Sequence, residues 1–166
     1  MKDRLTRRFA AAQAKAEQKN TRTDAINAEV TKFSEATESL HSDIEKWLAE
    51  AEVAAQFRRH YYQVNDSIWG EPIDYPLEAL TISVLGNELE VLPLSWKGAP
   101  AGSLGIVTIG VPLDPEPHFV SLGDMNGWGN RRHWSHHRNH LTLEQADAFT
   151  REVFYALVDT KLVPEA

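Results

Sequence analysis

Asp24-Ala-Ile-Asn-Ala-Glu-Val-Thr-Lys-Phe-Ser-Glu-Ala-Thr-Glu-Ser-Leu-His-Ser-Asp-Ile-Glu-Lys-Trp-Leu48 is the stretch on which the fold turns. Its apolar residues Ile26, Val30, Phe33, Leu40, Ile44 and Trp47 recur in steps of three and four or their sums, the spacing that places side chains on one stripe of an α-helix. The register extends forward through Ala51, Ala54 and Tyr61 and backward through Ala16, Ala12, Phe9 and Leu5, interrupted only by Lys19, Thr23, Thr37 and Arg58. One set of seam positions is half β-branched (Thr23, Val30, Thr37, Ile44) and the other carries Ile26, Phe33, Leu40 and Trp47, the pattern that favours two-stranded helix packing. From this we expect a coiled-coil-like arm that forms a homodimer through Ile26, Val30, Phe33, Leu40 and Ile44. The competing arrangement is a hairpin within one chain, with the Leu5–Ala16 stretch folded back on the main helix.

Outward from the seam, punctuation divides the chain. Every glycine and proline lies between Gly70 and Pro164, so residues 1–69 contain neither of the residues that most often end an element. Thr21 and Asp24 have capping-box spacing, which predicts a break near Asn20–Asp24 and a main helix from about Asp24 to Arg59, roughly 50 Å long. Near its end the apolar set widens to Leu48, Val53, Ala55 and Phe57, a breadth suited to packing on a sheet. The expected organisation is a basic segment 1–22, a helical arm 23–62 and an α+β domain 63–166.

Within that domain, Ala79–Leu85 and Glu88–Leu92 alternate apolar and polar residues around Gly86-Asn87, which predicts a hairpin. Leu80, Ile82, Val84, Leu89 and Val91 would share the buried face, leaving Thr81, Ser83, Glu88 and Glu90 to solvent. Leu104–Ile109 and His118–Leu122 read as further strands, and a final edge strand is expected near Trp128–Trp134. Thr142, with Gln145 three residues on, is the expected N-cap of a C-terminal helix whose stripe runs through Leu143, Ala146, Phe149, Val153, Phe154, Leu157 and Val158. The fold class is α+β: a long N-terminal arm, then an antiparallel meander of four to six strands covered on one face by the end of the arm and by the C-terminal helix.

The chain has 166 residues, no cysteine and a formal net charge of −7. Disulfides, thiolate metal sites and cysteine nucleophiles are excluded. No run is apolar enough to span a membrane and no apolar stretch follows the basic start, so a cytoplasmic protein is expected. Charge is distributed unevenly: residues 1–22 sum to +5, residues 23–57 to −6 and residues from 63 onward to −8. Phosphate binding by the domain is therefore disfavoured, while the basic start, with Lys2, Arg4, Arg7, Arg8, Lys15 and Lys19 around Leu5 and Phe9, suits nucleic acid or an anionic surface.

The chemically dense segment is Gly127–His140, with four histidines, three arginines and two tryptophans. Trp128, Arg131, Arg132, Trp134 and Arg138 are the types that fill pockets or bind carboxylate and phosphate at interfaces, and they are the candidate partner-binding residues. His133, His136, His137 and His140 would line one face of a helix and chelate zinc there; in a strand they would split between faces. The plain alternative has the tryptophans packed inward from an edge strand and the charges turned to solvent. There is no Walker loop, nucleophile elbow or HExxH. The favoured reading is a non-enzymatic, self-associating interaction or regulatory protein that binds a protein or nucleoprotein partner through this segment and needs no cofactor. The alternatives are a His-ligated, zinc-dependent hydrolase-like enzyme, or nucleic-acid binding through residues 1–22.

Overall fold

A computed structural model describes residues 2–68, 71–95, 103–124, 132–137 and 147–163. Helix α1 (Lys2–Glu50) is followed by strands β1 (Gln56–Ile68), β2 (Glu71–Val84), β3 (Asn87–Ser95), β4 (Ser103–Gly110), β5 (His118–Asp124), β6 (Arg132–His137) and β7 (Asp147–Ala148), then helix α2 (Arg151–Leu162). The strands form one antiparallel sheet in chain order, each paired with its sequence neighbour. A long helix, an antiparallel meander and a C-terminal helix make this an α+β fold, with α1 packed on the sheet.

α1 runs unbroken through Asn20–Asp24, so the basic start is neither a separate helix nor the second limb of a hairpin. Thr21 and Thr23 direct their hydroxyls to the carbonyls of Glu17 and Lys19 four residues back, which lets them sit inside a helix rather than cap one. The helix stops nine residues before Arg59. Its end is a Schellman motif: Val53 N–H donates to the Leu48 carbonyl (3.1 Å) and Glu52 N–H to that of Ala49 (3.1 Å), with Glu52 at φ 58°. Glycine usually holds that left-handed position, so the sequence carried no stop signal. From Gln56 the chain is strand, and Phe57, Arg59 and Tyr61 follow a period of two.

Ile26, Val30, Phe33, Leu40 and Ile44, expected to meet a second chain, are buried in the core of their own chain with Leu48. The seam is complementary to the chain's own sheet, where Leu80, Ile82, Leu89, Val91, Val107, Ile109 and Val120 present a wide apolar surface. Each large side chain so buried contributes about 1.5–3 kcal/mol. Thr37 joins this face because its hydroxyl is satisfied within the helix by the Phe33 carbonyl at 2.9 Å.

The hairpin forms with Leu80 opposite Val91 and Ile82 opposite Leu89, all fully buried. Its loop is Leu85-Gly86 rather than Gly86-Asn87: both loop residues have positive φ (53° and 80°), and Val84 pairs with Asn87. The opposite face is not uniformly wet. Thr81, placed in solvent by the alternation, is buried there along with Leu77, Ala79, Ile106 and Ser121.

α2 starts eight residues later than Thr142 would have it. Asp147–Ala148 pairs with β6, Phe149 N–H continues that pairing to the Trp134 carbonyl (2.8 Å), and Thr150 is the N-cap, its hydroxyl accepting from Val153 N–H. Thr142 and Gln145 lie outside the described residues. Trp47 locks the two helices together: its ring lies 6.0 Å from Phe149 and 5.8 Å from Phe154, and its carbonyl accepts from the Tyr155 hydroxyl at 2.5 Å.

Candidate functional site

Two sets of contacts fix the direction of α1 on the sheet. Near its C-terminal half, His41 meets Glu78 of β2 and Glu45 meets Arg59 of β1. Further toward the N-terminus, the Phe33 ring lies on Gly105 of β4 and 6.5 Å from the ring of Trp134 on β6. The helix therefore crosses the sheet obliquely from β1 and β2 toward β6. Ile26 is the first residue it buries. Residues 2–25 continue beyond as about 36 Å of helix, exposed on every side, with Leu5 57% and Phe9 69% accessible.

The anchored half is held by a polar cluster that the sequence reading missed. His41 is fully buried, and its Nδ1 lies 2.8 Å from Oε1 of the nearly buried Glu78. Arg59 spans three acceptors, giving Nε to Glu45 (2.9 Å), Nη1 to Glu78 (3.4 Å) and Nη2 to the Ser42 hydroxyl (3.2 Å), while the Tyr61 hydroxyl donates to Glu38 at 2.7 Å. Burial, the largest influence, holds the His41 pKa below its ordinary 6.5 even though Glu78 pulls the other way. A neutral ring then donates from Nδ1 to the Glu78 carboxylate, and its Nε2 is buried with no hydrogen-bond partner. The only hint in the sequence was a histidine on the apolar stripe between Leu40 and Ile44.

The described part of the dense segment, Arg132–His137, is strand and not helix. Within β6, Trp134 and His136 share the helix-covered face, paired across from Leu122 and Val120. Trp134 is half-buried against Phe33. His136 meets His118 of β5: Nδ1 of His118 and Nε2 of His136 are 2.6 Å apart, and the rings stack at 4.9 Å. That is a direct hydrogen bond, one nitrogen donating and the other accepting. His133, His136 and His137 lie on this strand and not on a helix. Among the described residues no group of three or more His, Asp or Glu side chains is placed to hold a metal. Trp128, Arg131, Arg138 and His140 lie outside the described residues; Arg132 opens β6 opposite Asp124.

Asp114 is held by α2. Its carboxylate lies 2.7 Å from Lys161 Nζ and accepts from the N–H groups of Val111 and Glu116. Burial works to raise its pKa, but these donors together outweigh it and hold the carboxyl below its ordinary 3.8. Lys161 also donates to the Glu116 carbonyl (3.0 Å), fastening the end of α2 to the β4–β5 loop.

No described helix is long and apolar enough to cross a membrane. Comparison of the chain with protein-family models, with curated proteins and with solved structures finds no match to any of them.

Proposed function

We propose that this chain is a non-enzymatic interaction protein that binds a protein or nucleoprotein partner, with the sheet as the holder and the projecting half of α1 as the binding element. One observation carries the reading: a single helix is core from Ile26 onward and wholly solvated before it, and the solvated half holds seven of the chain's 17 Lys and Arg residues. Helix of that length gains little stability alone in water, so an exposed extension of a packed helix suits a surface completed by another molecule. Trp134 lies against Phe33, two helical turns from Ile26, so a partner lying along the arm would come up near β6.

Site-specific photo-crosslinking in the native cell tests this. A crosslinking residue at Phe9 is expected to give discrete adducts, while one at Leu113, apolar and still more exposed but in the β4–β5 loop, is expected to give none. Equal labelling from the two positions, or none from Phe9, would overturn the reading.

A further inference from the structure

Five of the arm's seven cations are ordered, Lys2 and Arg7 lying off their row. At about 100° per residue, Arg4, Arg8, Lys15, Lys19 and Arg22 fall within about 60° of one another and form one row about 27 Å long. Along one side of that row runs a narrow apolar stripe of Leu5, Phe9, Ala12 and Ala16, all exposed. Thr6, Gln13 and Asn20 border the stripe's far edge, and Asp3 and Glu17 sit on the back of the helix.

Each class of occupant meets a different part of this face. Nucleic acid would neutralise the cations and leave Leu5 and Phe9 uncovered. A membrane surface asks for a broad apolar face, and two large side chains do not make one. A second arm would set cation against cation when antiparallel, or cation against Thr6, Gln13 and Asn20 when parallel, with only alanines filling half of the seam. An amphipathic helix with carboxylates along one flank satisfies both features at once. Resting on the reading of the arm as the binding element, we infer that its occupant is an acidic amphipathic helix of a partner protein. The partner's apolar seam covers Leu5 and Phe9, and its carboxylates, one heptad apart, face Arg8, Lys15 and Arg22.

The test uses the full chain and synthetic four-heptad peptides with leucine at both seam positions, flanked either by glutamate or by lysine. Fluorescence anisotropy at low salt is expected to show the glutamate peptide binding at least about tenfold tighter than the lysine peptide. The triple variant Arg8→Glu/Lys15→Glu/Arg22→Glu, altered only at exposed positions, is expected to invert that preference, and Phe9→Asn to weaken binding to the glutamate peptide. Absence of a preference, failure of the charge swap to invert it, or retention of duplex DNA, RNA or phosphatidylserine vesicles in place of the peptide would overturn the inference. Adducts from Phe9 combined with any of those results leave the arm as the contact and remove the acidic helix as its occupant.

Discussion

The Phe33 ring lies against the backbone of Gly105, in space that a Cβ on that residue would occupy. This contact seats the first strongly buried aromatic of α1 on β4 and sets how closely the helix approaches the sheet. Gly105→Ala is therefore expected to lower the unfolding free energy by about 1–3 kcal/mol through overpacking. Phe33→Leu should recover part of that loss, so a double-mutant cycle in chemical denaturation would give less than the sum of the two single effects. Strict additivity would mean that the ring and the strand do not press on each other.

Burying a carboxylate separates the two halves of the same seam. Phe33→Asp is expected to prevent folding, costing more than about 4 kcal/mol, because the residue has no access to solvent. Phe9→Asp, one of the arm's exposed positions, should leave the melting temperature and the light-scattering mass of the isolated protein unchanged. A folded Phe33→Asp protein of halved mass would restore the dimeric seam that the core now accounts for.

Burial of His41, only partly offset by Glu78, makes stability depend on pH. The unfolded chain takes up a proton at His41 near 6.5, whereas the folded protein resists it, so this contribution is complete above about pH 6.5 and is lost as pH falls toward the depressed folded value. Asp114 adds a second decline below about pH 4, since its folded carboxyl is held under 3.8 by Lys161 and two backbone donors. Denaturant midpoints measured between pH 8 and pH 3 should fall in two stages, and His41→Gln should abolish the upper stage alone. A midpoint that is flat from pH 7 to pH 5 in the parent would contradict the buried neutral ring.

Three exposed residues, Glu52, Leu85 and Leu113, carry left-handed backbone at a cost. Glu52 (φ 58°) ends α1 and Leu85 (φ 53°) opens the hairpin loop, where the Leu side chain is 91% accessible and gains nothing from burial. Glu52→Gly and Leu85→Asn each supply the residue type those positions favour, and each is expected to raise the unfolding free energy by about 0.5–1 kcal/mol. Unchanged or lowered denaturation midpoints would argue against those backbone conformations.

Much of this fold was legible in the sequence, and the failures have physical causes. The seam from Ile26 to Ile44 was read correctly as a buried helical face, but periodicity reports burial and not what does the burying; a sheet and a second helix leave the same pattern. The end of α1 was misplaced because Glu52 does the work of a glycine. The start of α2 was misplaced because a two-residue strand, Asp147–Ala148, is too short to leave a period. The hairpin pairs Leu80–Val91 and Ile82–Leu89 were legible because alternation and a positive-φ glycine pointed the same way. In the candidate site, the arm's charge was plain from residues 1–22, while the His41–Glu78 pair joins residues 37 positions apart and left no local signal.

The boundary at Ile26 between bare and packed helix is measured directly by hydrogen exchange followed by mass spectrometry on the isolated protein. Amides from residues 30–48 should be protected to the level of the central strands, and those from residues 5–22 should exchange orders of magnitude faster, independent of protein concentration. Strong, concentration-dependent protection of residues 5–22, or exchange at 30–48 as fast as in the arm, would contradict it.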